Sequence, residues 1–282
     1  MLPRLLCERL CSLNPKVDRL AYSCFFRMNI ETGSIEKGTK PRFARSVIRS
    51  CAKWNYELVQ RILDKEVTTV DQLPEEYRPQ EQRFEDMVAD CFLMNEIAQK
   101  RRANRFEHGS VIFQNREFWF KLDQETLMPV QCQEQARIQS KHLVEEYMLM
   151  ANILVAEYLL EYCKDKTLLR AHNDIDPLKK TELGEFFEKI GLEGVDLTNA
   201  KTVSHSMERI RREGTSEQLT IFNRKFLTCL TQATYVTIED KEPLKYQHYG
   251  LNFPVYTHFT SPIRRYADLL VHRLLTICLK EQ

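Results

Sequence analysis

The chain has 282 residues, 43% of them hydrophobic and 29% charged, with 41 basic and 40 acidic side chains for a net charge of +1. This length holds one large domain or two small ones around a sizeable core, and the composition excludes a disordered chain. The near-zero balance also excludes a broadly basic nucleic-acid coat, so any anion-binding surface has to be local.

The nine cysteines are odd in number and scattered. Cys7 and Cys11 lie four apart, but no second pair completes a zinc pattern, so they read as free thiols of a reducing compartment. The opening MLPRLLCERLCSLNP is too charged for a signal peptide, and no apolar run approaches spanning length. A cytosolic or nuclear protein is expected.

Residues 3–12 predict a short amphipathic helix with Leu5, Leu6 and Leu10 on one side, stopped at Asn14-Pro15. Leu20, Tyr22, Cys24, Phe26 and Met28 alternate as in a strand. Glu31–Ser34 reads as a turn, and Phe43–Ile48 as a second strand. A helix is expected over 54–63, a polar loop around Pro74 and Pro79, and a long helix from Gln82 to about Asn104 with a basic end. Val111–Phe113, Glu117–Leu122 and Met128–Glu134 predict a small meander.

A second long helix covers roughly 140–163. Its stripe runs through Val144, Met148, Ala151, Val155, Tyr158 and Tyr162, widened by Leu149, Ile153, Leu154 and Leu159, which places it centrally. Helices near 178–190, 200–212 and 216–232 follow, then one from Pro262 to about Leu279. The class is α+β, with a mixed β-sheet in the first half and a mainly helical second half.

The most informative segment is His258–Arg273, HFTSPIRRYADLLVHR. Thr260 or Ser261 suits an N-cap and Pro262 the first helical position, which puts Arg264 and Arg265 in the first turn. Positive charge there opposes the helix dipole. A bound phosphate, held by free backbone N–H groups and the arginines, reverses that effect. An i,i+4 pair between Arg264 and Asp268 on a solvated face is the plainer alternative.

Glu145, Glu146 and Asn152 interrupt the apolar run of the central helix, with Glu145, Met148 and Asn152 on one face. They call for structural hydrogen bonds or, more sharply, a ligand. Trp54, Tyr56, Phe113, Phe118, Trp119 and Phe120 suit either a core or a base-stacking platform. Asp174-x-Asp176 reads as a turn and helix cap. His205, His248 and His272 have no ligand spacing, and Glu85-Asp86 and Glu239-Asp240 are only pairs.

HFTSPIRRYADLLVHR resembles the signature near the C-terminal end of the RNB domain of RNase II-type exoribonucleases. MLPRLLCERLCSLNP, RSVIRSCAKWNYE, HLVEEYMLMANILVAEYL and LLRAH resemble further family segments in the family order, so the resemblance spans essentially the whole chain. It is nearest the eukaryotic cytoplasmic, exosome-independent branch that acts on uridylated RNA.

The resemblance implies processive 3′-to-5′ hydrolysis of a threaded single-stranded RNA to nucleoside 5′-monophosphates, with no obligatory protein partner. Arg264 matches the arginine that stabilises charge on the scissile phosphate, and Arg265 beside it is a candidate RNA contact. Tyr56 and Glu145 match residues at the 3′-terminal sugars, and Phe113 matches an aromatic that stacks on bases. The family's Mg²⁺ is held by a D-x-D-D cluster upstream of the position that Met1 matches. The expectation is therefore a partial RNB domain over 1–282, without that cluster and without cold-shock or S1 OB-folds. Such a chain is a fragment that is itself inactive or, alternatively, a short product that binds RNA or a partner without cutting.

Overall fold

The computed structural model describes residues 2–111, 118–134, 138–238 and 246–280. The α+β class is the one observed. Among the described residues the β content takes the form of three two-stranded antiparallel pairs, not one sheet. Strands β1 (Asp18–Phe25) and β2 (Arg42–Arg49) pair with Leu20 opposite Val47. The turn between them includes Gly33 at φ +64, where a Cβ would meet the backbone of Arg101 at 2.9 Å. Glycine is required there twice, for the dihedral and for the close approach.

Helix α1 (Tyr56–Leu63) starts at Asn55, whose side chain accepts the Leu58 N–H at 2.7 Å. Leu58, Ile62, Val67 and Leu73 pack with Phe84 of α2 (Phe84–Glu107), so the loop between the helices closes a small core of its own. Glu85 and Asp86 lie in the first turn of α2, where acidic residues suit the dipole. Strands β3 (Phe118–Leu122) and β4 (Pro129–Glu134) form a hairpin. Of the third meander strand expected at 111–113, only Val111 is described, and it is not in a strand.

Helix α3 (Gln139–Cys163) packs against α1, α2 and the last helix. Met150, Leu154, Val155 and Leu159 meet Phe43, Phe259, Val271 and Leu275 in the main core. The expected stripe is corrected here: Val144 and Tyr162 are exposed, whereas Leu143, Glu146, Met150 and Asn152 are buried. A helix this apolar has no clear period, so its neighbours choose the buried face.

Strand β5 (Leu168–Ala171) pairs with β6 (Thr234–Thr237). Between them, α4 (Pro177–Lys189), α5 (Ala200–Glu213) and α6 (Ser216–Cys229) close a second core on Phe187, Val203, Phe222 and Phe226. Their starts carry side-chain caps at Asp176, Asn199 and Thr215. Helix α7 (Tyr266–Lys280) begins four residues later than expected. Pro262–Arg264 form a turn, with the Arg264 and Arg265 N–H groups both directed at the Ser261 carbonyl.

The segment before β1 is a π-helical turn (Leu6–Cys11) with no buried residue, in place of the expected amphipathic helix. Leu5, Leu10, Leu20 and Val47 are all exposed, Leu20 by 83%. No described helix is long and apolar enough to cross a membrane.

Two glycine substitutions have opposite expected signs in urea unfolding. Gly33→Ala loses stability by more than about 1 kcal/mol, since an L-residue at positive φ is strained. Gly184→Ala, inside α4 with open space around its Cβ position, gains about 0.5–1 kcal/mol from helix propensity. Equal effects at the two sites would contradict this packing.

Candidate functional site

The segment from Tyr256 to Arg265 is a strap bonded to α3, β5 and α7. Asn152, fully buried on α3, accepts the Phe259 N–H at 2.9 Å and donates to the Tyr256 hydroxyl at 2.9 Å. His272 on α7 sits with Nε2 2.8 Å from the Phe259 carbonyl, so that nitrogen carries the proton. Thr257 donates to the Leu168 carbonyl of β5 at 2.7 Å.

The far end of the strap is held by Asp268, which is fully buried in the first turn of α7. It accepts the Ser261 N–H at 2.6 Å and the Arg265 Nη2–H at 3.0 Å, with Arg265 Nε 2.8 Å from its second oxygen. This carboxylate folds Ser261–Arg264 back as a turn and so delays the start of α7 to Tyr266. The dipole conflict inferred from sequence is thereby removed. The ion pair is Arg265 with Asp268, not Arg264 with Asp268, and Arg265 is committed to holding the strap together.

Arg264 is left exposed at the head of the turn. Its guanidinium reaches only Ser261 Oγ, at 3.4 Å, and no carboxylate pairs with it among the described residues. Behind the strap, the Tyr235 hydroxyl lies 2.6 Å from His258 Nδ1. Burial, reinforced by Arg265, holds His258 down at about 4. His248 is likewise at about 4, through burial and then its neighbour His172. These histidines are neutral at pH 7 and add no charge.

One to two turns earlier on α3, Glu145 and Glu146 meet the end of α2. Arg105 donates to Glu146 at 2.6 Å and to Glu145 at 3.0 Å, and Arg102 donates to Glu145 at 3.2 Å. Glu146 is fully buried, while the Glu145 side chain keeps 36% of its surface. The basic end of α2 is thus explained by these partners more than by the helix dipole. Tyr56, at the first position of α1, is tied to the start of α3 through Ser140 Oγ, which donates to its carbonyl at 2.8 Å, and its side chain is exposed.

Helix α3 therefore brings Tyr56, Glu145 and the Arg264 strap into one series. Phe113, Glu239 and Asp240 lie outside the described residues, as does the side chain of Trp119. Trp54 packs into a core against Phe84, and Phe118 and Phe120 are exposed on the hairpin. Asp176 caps α4. Sequence reasoning missed Asp268 as the strap's anchor, and it took Arg105 as a helix end suited to the dipole and not as the partner of Glu146. The available signal was Glu146 itself, an acid inside an apolar helix that demands a cation.

Among the described residues, no three His, Cys, Asp or Glu side chains converge as a metal site. Glu145, Glu146 and Asp268, the carboxylates described above, are each bound to arginine. These residues do not fit a catalytic Mg²⁺.

A family model described as RNB domain matches residues 1–281. DIS3-like exonuclease 2 of Schizosaccharomyces pombe is 35% identical over 281 residues, which are 99% of this chain and 30% of that protein. The Arabidopsis thaliana protein named Inactive exonuclease DIS3L2 is 31% identical over 290 residues, covering 100% of this chain and 26% of its own. Mycoplasma genitalium RNase R in complex with ribose methylated single-stranded RNA superposes with a TM-score of 0.81 at 23% identity, over 99% of this chain and 40% of that one. The chain thus spans less than a third of the length of these two curated relatives.

Glu146→Gln leaves the Arg105 cation buried without its closest counter-charge, so unfolding free energy falls by about 3–5 kcal/mol. A loss below about 1 kcal/mol in urea titration would contradict the network. The histidines set a pH dependence with a definite sign. In the unfolded chain they titrate near 6.5, above their folded values, so protons favour unfolding as pH falls from about 6.5 toward 4. Urea midpoints measured across that range should drop, and more shallowly in His248→Gln.

Proposed function

The chain belongs to the RNB domain family, and on that footing we propose that it is the part of an RNB exoribonuclease domain that receives the 3′ end of single-stranded RNA. The carrying observation is Arg264, an exposed and unpaired guanidinium on a strap whose backbone is bonded to buried Asn152 and Asp268. An arginine fork carried on a backbone held in this way is suited to a phosphate, here the scissile one. The partly open carboxylate of Glu145 can still accept from a terminal 2′-hydroxyl, which separates RNA from DNA. Exposed Tyr56 borders the same sugars, and Phe113 stacks on a base.

The whole domain would release nucleoside 5′-monophosphates with Mg²⁺ positioning the attacking water. On this reading the 282-residue chain binds without cutting, because among the described residues the carboxylates of the site are already bound to arginine. The uncovered apolar side chains of Leu20 and Val47 suit a partial domain whose sheet face is met by further RNB chain. A second reading, in which the native protein binds RNA but never hydrolyses it, is favoured by the similarity to the Arabidopsis protein named inactive.

Titration of the chain with labelled single-stranded RNA and DNA of one sequence tests the proposal. RNA should bind more tightly, and Arg264→Ala should weaken it by about 10- to 100-fold, the loss of a charge-assisted contact of roughly 1.5–3 kcal/mol. A folded chain that binds neither would overturn it. Magnesium-dependent release of nucleoside monophosphates by this chain would contradict the inactivity. A native protein longer than 282 residues that cleaves RNA rejects the second reading.

A further inference from the structure

The strap has a second unpaired cation beside it. Arg170 lies on β5 directly opposite Tyr235 of β6 in the strand register. Its guanidinium carbon sits 4.5 Å from the centre of the Tyr235 ring. The Tyr235 hydroxyl is in turn bonded to His258, the first residue of the signature, and the Arg170 N–H is bonded to the Tyr256 carbonyl at 2.7 Å. The side chain is therefore oriented by stacking on an aromatic face and by a strand fixed to the strap. No ion pair holds it: among the described residues, no carboxylate lies within reach of its guanidinium.

This sets Arg170 apart from the other arginines of the site. Arg102 and Arg105 are neutralised by Glu145 and Glu146, and Arg265 by Asp268. Arg170 and Arg264 are not. The charges of Arg265, Asp268, Arg170 and Arg264 all act on His258, which places three cations and one anion around one imidazole. With His258 neutral, the neighbourhood carries an uncompensated positive charge of about two in a chain whose overall charge is +1. Such a local excess attracts a polyanion.

We propose that Arg170, stacked on Tyr235, is a second phosphate-binding residue that takes a backbone phosphate of the RNA strand next to the one met by Arg264. The inference rests on the RNA reading above and extends it from one phosphate to two. Tyr235 serves as a positioning residue: it holds the guanidinium plane, and its bond to His258 sets the distance between the two arginines.

The test measures dissociation constants of a single-stranded oligoribonucleotide at several KCl concentrations. The unaltered chain is compared with Arg170→Ala, Arg170→Lys, Tyr235→Phe and, as a remote control, Arg212→Ala. Removing one phosphate contact lowers the slope of log K against log salt by about 0.7 for a single strand. Arg170→Ala should show that fall together with about tenfold weaker binding. Arg170→Lys, which keeps the charge and loses the fork, should keep the slope and bind a few-fold more weakly. Tyr235→Phe should weaken binding with the slope unchanged, and Arg212→Ala should change neither. A purely structural role for Arg170 shifts the urea midpoint and leaves the slope intact, so an unchanged slope in a folded Arg170→Ala chain would overturn the inference. If Arg264→Ala weakens binding and Arg170→Ala does not, only this inference fails. If the unaltered chain binds no RNA, both fall together.

Discussion

Burial of two polar side chains on one apolar helix is the constraint that organises this molecule. Glu146 and Asn152 of α3 have no exposed surface, and a buried charge or amide is tolerated only with partners in place. Each therefore dictates what must lie beside it. Glu146 requires Arg105 at the end of α2, and Asn152 requires the strap at Tyr256 and Phe259. With Ser140 bonded to Tyr56, three segments distant in sequence are fixed along one rod. From Ser140 to Asn152 the rod advances roughly 18 Å, a span suited to a few nucleotides.

The arginines divide by whether they are neutralised. Arg102, Arg105 and Arg265 hold helices and strap together through carboxylates, and their charges are cancelled locally. Arg264 and Arg170 are oriented by backbone, turn and ring contacts instead, so their charges remain available. A chain with almost no net charge can in this way present a small strongly positive site without a broadly basic surface.

Much of the fold was legible because local signals were strong. Asp176, Asn199 and Thr215 announce α4, α5 and α6 with side-chain caps, and the Glu31–Ser34 turn carries the glycine its dihedral demands. The start of α7 was not legible. Ser261-Pro262 is an ordinary helix opening on local grounds, and only the long-range demand of Asp268 for the Ser261 N–H and Arg265 delays the helix to Tyr266. The buried face of α3 was hidden for a related reason: apolar residues surround the helix, and two of its polar residues, Glu146 and Asn152, usually a guide to the solvent side, are here fully buried. Arg264 and Glu145 are candidates through the motif segments they belong to. The placement of Arg170 over an aromatic ring carries no local sign, because that ring is 65 residues away in the paired strand.

The strap, held by Asn152 and Asp268, should present Arg264 to an RNA phosphate. A crystal structure of the chain with a short single-stranded oligoribonucleotide tests it most directly. The account predicts a phosphate within hydrogen-bond distance of the Arg264 guanidinium, with the Asn152–Phe259 and Asp268–Ser261 bonds unchanged. Ordered RNA bound elsewhere, or a strap that leaves Asn152 to meet it, would contradict the account.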